Sequence, residues 1–189
     1  RALTPMRVAH VITRLIVGGA QENTVATVLG LREKPDIDVR LYCGSTTGPE
    51  GSLEPLVENI DGLFHPVPHL VRPVRPWSDW RACRQLQRAF ELFQPDIVHT
   101  HSGKAGIVGR IAAKRAEVPK IVHSIHGPSF GTFQGRLANA LFRGAERFAG
   151  RRTDHFVTVA DAMRDQYLAA GIGQADDYTR IPSGFHLQP

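Results

Sequence analysis

Apolar runs that end in a Gly- or His-marked turn set the strongest limit on how this chain can fold. Four such turns stand out: Gly18-Gly19, the stretch His99-Thr100-His101-Ser102-Gly103-Lys104, His126-Gly127 and Ser183-Gly184. The run before each reads as a β-strand. In an open parallel sheet, every turn that follows a strand opens on the carboxyl edge, where ligands bind. Residues far apart in sequence are therefore expected to meet in one crevice.

Between these turns, apolar runs alternate with helical patterns. Strands are expected near 7–12, 37–43, 63–67, from 97, 120–125, 155–159 and 179–181. Helices are expected near 20–33, 52–60, from an N-cap at Ser78 to Pro95, and near 103–115, 134–150 and 160–170. Between the third strand and Ser78, a loop from His65 to Pro76 carries four prolines. Cys83, Leu86, Phe90 and Phe93 fall at helical spacing. Gly106 and Gly109 would let their helix approach the sheet closely. Leu137, Leu141, Ala145 and Phe148 lie on one side of the 134–150 helix, with Arg136, Arg143 and Arg147 on the other. Strand–helix alternation implies parallel pairing with right-handed crossovers. The expected fold is α/β: a single doubly wound, Rossmann-like parallel sheet of about seven strands with helices on both faces.

Composition narrows the setting. The 189 residues suffice for one substantial core and fall short of two. No apolar run approaches the roughly 18 residues that a membrane span needs. The two cysteines, Cys43 and Cys83, fit no metal spacing or disulfide framework, so a reducing cytoplasm is the simplest setting. The formal charge of +5 is mostly arginine, gathered at Arg72, Arg75, Arg81, Arg84 and Arg88 and again at Arg136, Arg143, Arg147, Arg151 and Arg152. Such stripes can face nucleic acid, anionic lipid or phosphorylated small molecules, or simply be solvated. Aromatic residues make up 7% and do not interleave with the basic runs, which argues against nucleic acid.

The turns carry the candidate chemistry. Gly18-Gly19, between a strand and a helix, would bring backbone N–H groups and a helix dipole to an anion, or serve as a tight turn needing positive φ. The dinucleotide fingerprint G-x-G-x-x-G is absent. Ser102-Gly103-Lys104 lacks the upstream glycine of a phosphate-binding P-loop, since Val98 stands there, yet it can hold an anion or a sugar hydroxyl. Zinc is not expected at His99, His101, His123 and His126, because no carboxylate or cysteine joins them at ligand spacing. His99 and His123 are expected inside the sheet layers, bonded to backbone. His101 and His126 are expected beyond the strand ends, in the crevice. Asp161 reads as an N-cap or first-turn acid.

Taken in order and spacing, these segments resemble the N-terminal domain of family 4 retaining glycosyltransferases of the GT-B fold. The matching pieces are Gly18-Gly19-Ala20-Gln21, Pro95-Asp96-Ile97-Val98-His99-Thr100-His101 with the helix from Gly103, and His123-Ser124-Ile125-His126-Gly127. Val157-Thr158-Val159-Ala160 and Arg180-Ile181-Pro182-Ser183-Gly184 also fit. The resemblance runs from about Arg7 to the last residue, and it looks most like enzymes of bacterial polysaccharide or lipid-linked glycan assembly.

The resemblance implies a division of labour. Gly18 and Gly19 would approach the donor diphosphate. His126 would be the catalytic-centre histidine, contacting donor sugar and acceptor. His101, Ser102, Lys104 and Gly127 would bind the acceptor. The nucleotide-sugar would be gripped chiefly by a second domain, with a basic pair and an E-x7-E-type motif, that this chain does not contain. Residues 7–182 would form the acceptor-side domain and 183–189 the start of the interdomain hinge, where Ser183 and His186 replace the commoner Asn and Asp. No metal or other cofactor is implied, and the domain alone would be inactive. The expected partners are a nucleotide-sugar, a glycan or lipid-linked acceptor, the second domain and an anionic membrane surface at the inner face of the membrane, with no nucleic acid. The alternative is a non-catalytic Rossmann-like module that docks a separate donor-binding subunit.

Overall fold

The computed structural model describes residues 4–131 and 133–184. Strands β1 (Met6–Ile12), β2 (Ile37–Cys43), β3 (Phe64–Pro66), β4 (Ile97–His101), β5 (Lys120–Ile125), β6 (His155–Thr158) and β7 (Tyr178–Arg180) form one sheet. Every pairing is parallel, in the order β3-β2-β1-β4-β5-β6-β7. Among the described residues, five α-helices lie between them: α1 (Gly19–Arg32), α2 (Pro76–Phe93), α3 (Gly103–Arg115), α4 (Arg136–Gly150) and α5 (Asp161–Ala169). This is the doubly wound α/β architecture that the alternation implies.

The strand order distributes the helices unevenly. The chain moves one way from β1 through β3 and the other way from β4 through β7. Right-handed crossovers therefore place α1 on one face and the later helices on the other. The buried clusters agree. Val25 and Val28 of α1 pack with Val8, Ile12, Val39 and Leu41. Leu86 and Phe90 of α2, and Ala105 and Ala112 of α3, pack with Ala9, Val11, Val98 and Ile121 on the opposite face. Tyr167 of α5 joins Ile125 and Phe156 on that same face.

α3 lies against the strands as its glycines allow. A Cβ on Gly106 would sit 2.5 Å from the His123 ring, and one on Gly109 2.8 Å from Thr100 Cγ2. Gly171, at φ 71°, closes α5 in the left-handed conformation that suits a glycine cap.

Three local expectations are corrected. Residues 52–60 do not form a helix; only Glu54–Leu56 make a single 3-10 turn. α2 starts two residues before Ser78, with Arg75 at the N-cap and Pro76 in the first turn, where its missing N–H costs nothing. On α4 the stripe of Leu137, Leu141 and Phe148 faces solvent. The inward side carries Ala149 and, at 0% exposure, Glu146. Glu146 is accommodated by Arg110 of α3, also at 0%, through a 2.6 Å ion pair. Ser183 and Gly184 follow β7, and residues 185–189 of the expected hinge, His186 among them, lie outside the described residues.

Candidate active site

The strand order reverses between β1 and β4, and the carboxyl ends of those strands open a crevice at that switch point. A cavity of about 790 Å³ occupies it. Thr13 and Arg14 after β1, Ser102, Gly103 and Lys104 after β4, and Gly127 after β5 all line it. Residues separated by more than a hundred positions thus share one wall because all strands point the same way. α1 contributes Gln21, and α4 contributes Leu141, Phe142 and Ala145.

Gly18 is the N-cap of α1, with φ 172° and no side-chain cap. That backbone is extended, so no positive φ demands glycine there. The α1 N–H groups before Glu22, whose own N–H bonds the Gly18 carbonyl, have no intrahelical acceptor. Nothing within 4 Å would meet a Cβ on Gly19. Neither glycine lines the cavity itself; Gln21, one short step further, does.

Ser102 is the N-cap of α3 and has φ 62° and ψ 169°. A side chain in this region costs of order 1–3 kcal/mol, and glycine is the residue suited to it. The hydroxyl does not cap its own helix. A strained serine on a cavity wall is a pointer to function that no sequence pattern exposes. Next to it, the Ala105 N–H donates to Thr13 Oγ1 at 3.1 Å, which ties the first turn of α3 to the loop after β1.

Lys104 is less free than the sequence suggests. Its ammonium lies 2.5 Å from Asp79 Oδ1 of α2 and donates to the Pro73 carbonyl. The pair holds α2 to α3 and neutralises the lysine. The remaining cations on the cavity wall are Arg14 and Arg72. Arg14 sits in the same turn as the two glycines, which is the sequence signal that could have found it.

The histidines depart from expectation in the place of His101 and in the partners of His99 and His123. His101 ends β4 rather than lying beyond it, and is 1% exposed. Its Nε2 lies 2.8 Å from His10 Nδ1, and its Nδ1 lies 3.1 Å from His126 Nε2. No ring nitrogen is left for an acceptor hydroxyl. His126 is half-buried just past β5, beside the cavity-lining Gly127. His99 bonds Ser124 Oγ at 2.7 Å and His123 bonds Thr100 Oγ1 at 2.9 Å, so both use side-chain hydroxyls rather than backbone. His10, missed by sequence reasoning, is paired with His99 in the β1–β4 register.

Burial sets the charge state of this cluster. It holds His99 and His126 down to about 4, with His126 also disfavouring the charge on His99. Burial, then the neighbouring imidazoles, pushes His10 and His101 well below the ordinary histidine value. For His123, burial acts first and Arg110 second. All five rings are neutral at pH 7.

One ring nitrogen each from His10, His99 and His101 lies within 4.8 Å of the others. A tetrahedral zinc with bonds of about 2.0–2.1 Å would hold two ligand nitrogens about 3.3 Å apart. The 2.8 Å His10–His101 separation is that of a hydrogen bond instead.

A family model described as "Glycosyl transferase 4-like domain" matches residues 18–184. The chain belongs to this family. The match takes in the Gly18-Gly19 turn and the cavity-lining residues Ser102 to Lys104 and Gly127, and leaves out Thr13 and Arg14. This glycosyl transferase 4-like domain is 30% identical, over 97% of its length, to the Escherichia coli UDP-Gal:alpha-D-GlcNAc-diphosphoundecaprenol alpha-1,3-galactosyltransferase. It spans 46% of that relative. Among solved structures, the lipopolysaccharide outer core galactosyltransferase WaaB matches with TM-score 0.65 at 14% identity, covering 92% of this chain and 44% of its own. UDP-N-acetylglucosamine 2-epimerase from Rickettsia bellii matches with TM-score 0.67 at 16% identity, covering 95% of this chain and 45% of its own. At these identities the structural matches establish the shared fold alone.

Proposed function

We propose that this chain is the acceptor-side half of a glycosyltransferase that moves a sugar, with retention, from a nucleotide-sugar to a lipid-linked or glycan acceptor. The observation that carries this reading is the match to the E. coli galactosyltransferase along nearly the whole chain, read together with the switch-point cavity. The relative's name specifies a UDP-Gal donor and a diphosphoundecaprenol-linked acceptor. For this chain, a nucleoside-diphosphate sugar and a diphosphate-linked lipid acceptor are the corresponding substrate classes.

The residues divide the work as follows. Gly18 and Gly19 leave backbone N–H groups open to the donor diphosphate, where positioned dipoles stabilise a leaving group. His126 orients donor sugar and acceptor. Ser102 and Gly127 bind acceptor hydroxyls, and Arg14 and Arg72 hold its phosphate; Lys104 contributes through its pair with Asp79. No metal ion enters the scheme. The nucleotide is held mainly by a second domain reached through a hinge that starts at residue 183. The isolated chain then transfers no sugar at a useful rate and binds nucleotide-sugars weakly. Micromolar nucleotide-sugar affinity of the 189-residue chain in calorimetry would overturn that division.

A membrane-facing surface accompanies this function. Trp77 and Trp80 of α2 are exposed and stack at 5.1 Å, with Arg81 and Arg84 over their rings. Aromatics therefore do interleave with this basic cluster, contrary to the sequence expectation. On α4, Leu137, Leu141 and Phe148 are exposed, and the Arg152 guanidinium lies 3.7 Å from the Phe148 ring. No described helix is long and apolar enough to cross a membrane. Apolar side chains bordered by arginines suit the surface of an anionic bilayer on the cytoplasmic side. Liposome sedimentation should show binding to anionic and not to neutral vesicles; equal binding would defeat this part.

The whole reading is tested by incubating the full-length natural protein with a panel of nucleotide-sugars and a diphosphate-linked polyprenol glycan. One nucleotide-sugar should yield an elongated lipid with the anomeric configuration of the donor sugar. No transfer from any donor would remove the reading, and inversion would remove retention.

A further inference from the structure

His10, His101 and His126 stand in line across β1, β4 and the end of β5, joined at 2.8 Å and 3.1 Å. At the two ends of this line, His10 Nε2 and His126 Nδ1 are buried and lack a partner. His10 is 0% exposed and belongs to neither a turn nor the cavity wall. A polar ring in the middle of an apolar strand is costly unless it is hydrogen-bonded, and here its one bond is directed at another imidazole.

We propose that His10 and His101 are positioning residues that fix which nitrogen of His126 carries its proton. The inference rests on His126 acting at the reaction centre, as proposed above. It follows from counting protons. Three neutral imidazoles carry three N–H protons, and each of the two links needs one donor and one bare acceptor. One proton remains for the two free ends. If His10 donates from Nδ1, His101 must donate from Nδ1 to His126, and His126 carries its proton on the free Nδ1. If His126 donates from Nε2, His101 donates from Nε2 to His10, and His126 Nδ1 is a bare acceptor. In both arrangements all three rings share one tautomer.

His126 therefore presents either a donor or an acceptor at Nδ1, and His10, two strands away, has to match it. Converting one arrangement into the other adds a proton at His126 Nδ1 and removes one at His10 Nε2. The His10 end is sealed in the core, so the chain holds a tautomer instead of conducting protons. His126, beside the cavity-lining Gly127, then has a ring already committed to one role, which is preorganisation for orienting a sugar.

The test is long-range ¹H–¹⁵N spectroscopy of the histidine-labelled chain at neutral pH, which identifies the protonated nitrogen of each ring. His10, His101 and His126 should show the same tautomer in the unsubstituted protein. That measurement needs no variant to fold and no activity. In His10→Phe, the His126 signals should move toward a mixture of tautomers. The inference is overturned by different tautomers among the three rings, by an unchanged His126 pattern in folded His10→Phe, or by one equivalent of zinc shifting the rings as ligands. If the shared tautomer is found and His126→Ala leaves turnover intact, the chain of imidazoles stands and the role given to His126 falls.

Discussion

His10 on β1 and His101 on β4 meet across the switch point of the sheet, with Nδ1 and Nε2 2.8 Å apart. The contact joins strands 91 positions apart in the chain, directly beneath the edge where the cavity opens. It makes the floor of the site a buried, neutral, hydrogen-bonded layer.

That layer gives stability a specific pH dependence. Burial depresses the folded-state pKa values of the clustered histidines, to about 4 for His99 and His126. Below the ordinary value near 6.5, the unfolded chain binds more protons than the folded one. Stability is therefore fully present above about pH 6.5 and falls as pH drops toward 4. Unfolding free energies from urea titrations should decline between about pH 6.5 and 5 with a slope of more than one proton, that is, more than about 1.4 kcal/mol per pH unit. A flat profile across this window would contradict the buried neutral cluster.

Ser102→Gly should separate stability from function. Glycine accepts φ 62° without the strain that serine carries, and its extra unfolded-state entropy offsets part of that gain, leaving about 0.5–2 kcal/mol net. Transfer by the full-length protein should fall, because the cavity loses a hydroxyl. A less stable variant would contradict the strain at Ser102, and an equally active one would remove its hydroxyl from the site.

The buried Arg110–Glu146 pair should respond asymmetrically. Glu146→Ala strands a buried guanidinium and should cost about 3–5 kcal/mol in urea unfolding. Replacing both partners, Arg110→Met with Glu146→Leu, should recover most of that loss. A single-variant cost under about 1 kcal/mol would place the pair in solvent.

Glycines on α3 and α4 should behave oppositely. Gly106→Ala drives a Cβ into the His123 ring and should destabilise by about 1–3 kcal/mol. Gly144→Ala, with nothing within 4 Å of its Cβ, should stabilise by about 1 kcal/mol through helix propensity. Thermal unfolding of the two variants checks both signs.

Much of this architecture is legible in the sequence. The limits of β2, α3 and β5 coincide with those the apolar runs suggest, and the turns after β1, β4 and β5 do meet at one edge. Local pattern cannot say which face of an amphipathic helix turns inward when a charge is neutralised by another helix. That is why the stripe on α4 points outward and Glu146 points in. Nor can it pair His10 with His101, since the β1–β4 contact skips two intervening strands. Likewise Lys104 reads in the sequence as a residue that can hold an anion or a sugar hydroxyl, yet Asp79 on α2 claims its ammonium. The strain at Ser102 is a backbone property that residue type does not reveal.

The most direct test of the central claim is turnover of the full-length natural protein and its His126→Ala variant, measured as labelled sugar moved from nucleotide-sugar to a diphosphate-linked lipid acceptor. Transfer by the unsubstituted protein is expected, with a fall of about a hundredfold or more in the folded variant, the scale of losing a positioned group at a reaction centre. Equal turnover by both proteins, or no transfer by either from any nucleotide-sugar, would contradict the claim.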